Sequence, residues 1–219
     1  MPFPRFEKLP LEKRERLIEV AAHEFALHGF DDASMNRILE AVQMSKGAAY
    51  YYFEDKVDLF FTVVQYCNER LKLFDLELDP ATLTAETFWP TFATLHRQPL
   101  LRSFEQPWLF AAVRAGERLS PAALQREPLA TFGRQVKTWL LSIVKRGQEL
   151  GVMRTDMSED LILAWLEALD DASDHWLLAH WSQLDREAIA QISDQTVDGM
   201  RRALAIVPED TPLFPVAQS

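Results

Sequence analysis

Between Ser34 and Phe53 the chain reads SMNRILEAVQMSKGAAYYYF, two short runs that each begin with a serine able to cap a helix and that are joined by a tight turn. Ser34 can cap one helix through Val42, and Ser45 a second through about Tyr52. Helices this short cannot stand alone and must pack on each other and on a neighbour, the arrangement of a helix-turn-helix. Ile38, Leu39, Val42, Met44 and Phe53 are assigned to the small core between them. The opposite side of the second helix then faces outward with Lys46, Gly47, Ala48, Tyr50 and Tyr51. An aromatic core stripe is the competing account of Tyr50, Tyr51 and Tyr52, but neighbours on a helix are about 100° apart, so the three cannot all face one core.

The flanks support a small helical module. Leu17, Ile18, Ala21, Ala22 and Phe25 recur at the i, i+3, i+4 spacing of an amphipathic helix from Leu11 to His28, with Pro10 suited to its first turn. Gly29 follows as a candidate left-handed terminator, with Phe30 folding back onto the helix end. Asp55 can cap a long helix from Lys56 towards Asp75.

Beyond Pro80 the pattern stays helical, with breaks suggested at Trp89-Pro90, Gln98-Pro99, Gly116, Ser120-Pro121 and Glu127-Pro128. Two long helices close the chain, one capped by Ser158 and running to about Trp181, the other from about Asp185 to Val207. Only seven glycines interrupt the 219 residues, and strand-like alternation is nearly absent. The expected fold is all-α with about nine helices: residues 1–56 a three-helix helix-turn-helix domain, 57–207 a larger helical domain, and 208–219 a tail.

The segment Ser45-Lys46-Gly47-Ala48-Ala49-Tyr50-Tyr51-Tyr52-Phe53 resembles the TetR-family recognition-helix signature Ser-Lys-Gly-Thr-Leu-Tyr-His-Tyr-Phe, with six of nine positions identical. The likeness is strong over about Leu11 to Leu59. It implies that Asn36, Lys46, Ala48, Tyr50 and Tyr51 face bases or the groove, and that Ser34, Arg37, Tyr52 and Lys56 face backbone phosphates. The outward face itself adds that Gly47 and Ala48 permit close approach to a duplex, while Ser45 and free N–H groups at the helix start can hold phosphate oxygens. Three positions depart from the family pattern: Gln43 stands where a turn glycine is usual, Ala48 lacks a threonine hydroxyl, and Ala49 replaces a core leucine. A positive φ at Gln43 would cost about 1 kcal/mol or more.

Charge runs against indiscriminate nucleic-acid binding, since the net formal charge is −10. The acidity is uneven: 8 Lys/Arg face 10 Asp/Glu up to Lys56, and 15 face 23 after it, giving −2 and −8. The resemblance implies a homodimer on pseudo-palindromic double-stranded operator DNA, released by a small-molecule effector of apolar or aromatic character. Trp89, Phe92, Phe104, Trp108, Phe110, Phe132 and Trp139 can line a cavity, with Glu105, Arg114 or His96 adding polarity, although a plain core role is commoner for each. Phe104, Glu105, Trp108, Trp139 and His175 are the ligand candidates carried forward. Asp170, Asp171, Asp174 and His175 beside Trp176 and Trp181 suggest either an acidic, aromatic pocket for a cationic compound or a solvated helix face. Trp165, Leu169, Trp176, Ile192, Thr196 and Met200 are assigned to a four-helix dimer interface, with burial inside one chain the alternative that periodicity does not separate from it.

No metal or other cofactor is expected. His23/His28 and His175/His180 are five apart, whereas four would place both ligands on one helical face. Cys67 is the sole cysteine, and no run of about 20 apolar residues or signal-like segment occurs, so a cytoplasmic protein without membrane contact is expected. The other function class, a helical small-molecule-binding protein or enzyme without DNA binding, finds no Ser/His/Asp, Cys/His or Gly-rich phosphate motif to support catalysis.

Overall fold

The computed structural model describes residues 4–119 and 121–206. Those residues form ten α-helices with short 3₁₀ turns and no strand. Val207, expected at the end of the last helix, and the 208–219 tail lie outside them. The helices are α1 Leu11–Asp32, α2 Met35–Ala41, α3 Lys46–Tyr52, α4 Lys56–Leu71, α5 Phe88–Arg102, α6 Pro107–Arg114, α7 Pro121–Leu124, α8 Leu129–Glu149, α9 Glu159–His180 and α10 Arg186–Leu204. The one more than expected is α7, a single turn that follows from Pro121, the residue read as part of a break.

The apolar stripe of α1 is buried as its spacing predicts, with Leu17, Ile18, Ala21, Ala22 and Phe25 all inside. Gly29 ends the regular helix at φ 68°, ψ −179°, a region that only glycine enters without strain. Phe30 then folds back between Phe25 and Phe60, with its ring centroid 5.3 Å from that of Phe60. Phe25 itself meets Phe60 at 4.9 Å, so the core of the first three helices continues into α4 without a gap. Each such phenylalanine contributes roughly 2 kcal/mol of burial.

Two expected breaks do not interrupt the chain: α5 runs through Pro90 and Pro99. Pro90 sits in the first turn, where its missing N–H has no intrahelical acceptor to lose, and Pro99 near the end forfeits one bond. Glu127-Pro128 does precede a helix start, that of α8.

A second core joins Phe88, Ile143, Val144, Met153, Ile162, Leu166, Met200 and Leu204, tying α5, α8, α9 and α10. Packing there is close at Gly147, where an added Cβ would lie 2.8 Å from Met153 Sδ and from the Phe88 ring. Between the two cores α6 is the bridge: it packs on α1 and α4, and its last residue, Arg114, pairs with α9.

Candidate nucleic-acid interface and sensor cavity

The N-terminal unit is assembled by side chains close in sequence. Ser34 Oγ accepts from the Arg37 N–H at 3.4 Å and Ser45 Oγ from the Ala48 N–H at 3.2 Å, so both expected caps form. Ile38, Leu39, Ala49 and Phe53 are buried, and Val42 and Met44 pack at their edge. Gln43 takes a φ of 53° in the turn between α2 and α3, the left-handed conformation anticipated for that position.

Glu24 of α1 holds the start of α2. Its Oε1 accepts from the Ser34 N–H and from Arg37 Nε, each at 2.8 Å. Burial alone would raise its carboxyl pKa, but the Arg37 and Ser34 hydrogen bonds outweigh that and hold it below the ordinary carboxylate value. Arg37, expected at a phosphate, is therefore already paired in the free protein, and it also donates to the Asp32 carbonyl at 3.0 Å.

Lys56 was expected at a phosphate as well. Its ammonium instead donates to the carbonyls of Phe30, Asp31 and Ala33 at 2.7, 3.0 and 3.2 Å, and lies 4.6 Å above the Phe30 ring. These bonds close the C-terminal end of α1, where carbonyls lack helical partners.

On the outer face of α3, Tyr50 and Tyr51 are 58% and 52% exposed, with Lys46 and Gly47 exposed beside them and Asn36 exposed on α2. A Cβ built on Gly47 would meet no protein atom within 4 Å, so the fold itself does not demand glycine there. Tyr52 is half-buried and meets Phe6 edge-on at 6.0 Å.

Phe6 was missed in the sequence reading. It is 1% exposed and packs 4.9 Å from Phe53, buttressing the end of α3, while Arg5 places its guanidinium 4.2 Å above the Tyr51 ring. The signal available was an aromatic residue before Pro10, at a distance in sequence where no helical periodicity links it to α3.

A cavity of about 770 Å³ lies between α5, α8 and α9 and reaches α6. Phe74, Phe92, Leu95, Phe110, Trp139, Leu140 and Leu163 supply apolar wall, and His96, Arg114, Glu167, Asp170, Asp171 and Asp174 supply polar groups. Of the five ligand candidates only Trp139 borders it, with its indole N–H donating to the Leu78 carbonyl at 3.2 Å. Phe104 packs on the first core; Trp108 stacks near His23 with ring centroids 4.7 Å apart; Glu105 and His175 are exposed. Phe104 and Glu105 precede α6 and His175 lies on an exposed side of α9, while α6 directs Phe110 and Arg114 to the cavity and Trp108 to α1.

The polar end of the cavity is an ion-pair cluster. Arg114 Nη2 donates to Asp171 at 2.7 Å, and Nη1 lies 3.3 Å from Asp174 and 3.6 Å from Asp170. His96 Nε2 is 3.0 Å from Asp170, and its Nδ1 is 2.6 Å from the buried Ser193 hydroxyl. His96, Asp170 and Asp174 bring one ligand-type atom each within 4.8 Å of one another, a cluster that pairs of histidines along a single helix could not reveal. Glu167 borders the same end, its carboxyl raised by burial against a smaller opposing pull from Lys137.

The expected dimer residues divide. Trp165, Leu169 and Trp176 are 42%, 38% and 47% exposed along one side of α9 with Leu161. Ile192 and Thr196 are half-buried, and the Thr196 hydroxyl donates to Ser173 at 3.0 Å. Met200 is 1% exposed and borders the cavity, so it is a core residue of the single chain. It shares the buried stripe of α10 with Ile189, Ser193 and Val197, which faces inward.

Residues 17–63 match the family model described as bacterial regulatory proteins, tetR family. The HTH-type transcriptional repressor AcnR of Corynebacterium diphtheriae is 26% identical over 159 residues, 73% of this chain and 77% of that protein. Several other relatives align over about a quarter of the chain and a third or less of their own length. Among solved structures, a TetR family transcriptional regulator from Chloroflexus aurantiacus is 25% identical, with a TM-score of 0.61 over 94% of this chain and 100% of that one. The regulator FadR of Bacillus subtilis, solved with stearoyl-CoA, shares the fold at 14% identity, with a TM-score of 0.66 over 85% of this chain and 96% of that one. No helix among the described residues is long and apolar enough to cross a membrane. The capped α2–α3 unit, the all-helical body behind it and these relatives agree: residues 17–63 carry the N-terminal domain of the bacterial tetR-family regulators, and the chain as a whole is similar in sequence and fold to regulators of that family.

Proposed function

We propose that the chain acts as a dimeric repressor whose two α3 helices enter successive major grooves of a pseudo-palindromic operator, about 34 Å apart, and that a small molecule in the cavity releases it. The observation that carries this reading is the outer face of α3: two exposed tyrosines, a lysine and a glycine that the fold does not require. A helix that existed only to complete a core would not present them. Residues 1–56 serve as the reading unit and 57–207 as sensor and dimer body. The Leu161, Trp165, Leu169 and Trp176 side of α9 supplies the surface for a second copy, because large apolar groups spaced along one helix face are the usual material of such an interface.

Release requires an effector that binds better when the two reading units are misplaced. The path is short: the cavity touches Phe110 and Arg114 of α6, and α6 packs on α1 and α4. Selection of bound sequences from a random duplex pool, followed by salt titration of the best, tests the reading. A two-fold-related motif whose affinity falls as salt rises is expected; enrichment of no motif even at low salt would sink it.

A further inference from the structure

We propose that the cavity ligand is a hydrophobic organic cation, which seats its positive end at Asp170 and Asp174 and competes there with Arg114. This rests on the effector reading of the cavity given above. The volume of about 770 Å³ falls in the range of small-molecule sites, and most of the wall is apolar. The charged groups on that wall are unequal: four carboxylates, of Glu167, Asp170, Asp171 and Asp174, against the Arg114 guanidinium and the His96 imidazole among the described lining residues. Arg114 faces three of those carboxylates, and His96 faces Asp170.

An anionic ligand would have to enter beside these acids and find its cations engaged, so it would lose hydration without gaining a pair. A cation meets the opposite situation, and Trp139, Phe92 and Phe110 put aromatic rings in the wall, a residue type that attracts positive charge. A bare divalent ion could use His96, Asp170 and Asp174, but it would have to displace Arg114 and would leave the apolar volume empty.

The competition also couples the site to the rest of the chain. Arg114 ends α6, and its pairs with α9 tie the two helices beside their shared apolar core. A ligand that takes over Asp170 and Asp174 loosens that tie on the helix that packs against α1 and α4.

Calorimetric titration of the full-length dimer with tetraphenylphosphonium and with tetraphenylborate, ions of one shape and opposite charge, tests the assignment. The phosphonium is expected to bind at least about tenfold more tightly, and Asp170→Asn to weaken it about fivefold or more. Arg114→Gln removes the competitor and should tighten it several-fold, and Asp174→Asn should weaken it; circular dichroism checks each variant's helix content. Unchanged phosphonium affinity in both Asp170→Asn and Arg114→Gln overturns the proposal. Saturable binding of tetraphenylborate or stearate with none of the phosphonium also overturns the charge assignment but keeps the cavity as an effector site. Binding of zinc ion alone, without the phosphonium, overturns it in favour of a metal site, and silence from all four overturns the effector reading as well.

Discussion

The reading unit and the sensor cavity are built on different length scales. Around α2 and α3 the caps span three residues, Ser34 to Arg37 and Ser45 to Ala48, and the farthest hydrogen bonds of Glu24 reach ten and thirteen residues along the chain. At the cavity, Arg114 pairs 57 residues away and His96 meets a serine 97 residues away. Capping contacts near in sequence therefore set the start of α2 and α3, with Phe6 and Lys56 as longer-range supports, whereas every polar group in the cavity depends on how α5, α6, α9 and α10 pack.

The proposed dimer joins the two regions, so breaking it should have the largest effect. Trp165→Glu with Trp176→Glu, on the exposed side of α9, should convert the protein to a monomer by sedimentation and lower operator affinity on the order of 100-fold or more, because a single reading unit loses half the site. A dimer that survives both changes would place the interface elsewhere.

Next comes the buttress of α3. Phe6→Ala removes a fully buried ring from against Phe53 and should cost about 3–5 kcal/mol in denaturant unfolding, with operator affinity falling as α3 loses its support. Smaller again is Glu24→Gln, which should cost about 2 kcal/mol at neutral pH through its bonds to Ser34 and Arg37. Since the folded pKa of Glu24 lies below its ordinary value of 4.5, the stabilisation is present above that pH and is lost as pH falls through the folded value. Acid unfolding curves of wild type and Glu24→Gln should therefore be fully separated above about pH 4.5 and converge as pH falls from there through the lower folded value.

The smallest effects sharpen the contrast between stability and recognition at neighbouring positions. Gln43→Gly relieves a positive φ and should raise stability by about 1 kcal/mol. Gly47→Ala should also leave stability unchanged or raise it by up to about 1 kcal/mol, since the added methyl meets nothing within the protein, yet it should weaken operator binding by crowding the duplex. Thermal melts and operator titrations on the same two variants separate the outcomes.

The difference in length scale also explains what could be read from the sequence. Helix periodicity placed α1, and serine spacing placed α2, α3 and their exposed face, because each signal lies within one or two turns. Periodicity reported that Met200 belongs to an apolar stripe but could not tell a stripe facing α5 and α8 from one facing a second chain. The ligand candidates suffered most: Phe104 and Trp108 were marked by aromaticity alone, and only tertiary packing determines that α6 directs Phe110 and Arg114, rather than these two, towards the cavity. Lys56 shows the same limit within the reading unit, as its partners at Phe30, Asp31 and Ala33 lie more than twenty residues away.

The most direct test of the central claim is an operator titration of Tyr50→Ala with Tyr51→Ala on the best sequence recovered from a random pool. Both side chains are exposed, so helix content, melting temperature and dimer mass should stay as in the wild type while operator affinity falls on the order of 100-fold. Undiminished operator affinity in that variant would contradict the assignment of α3 as the reading surface.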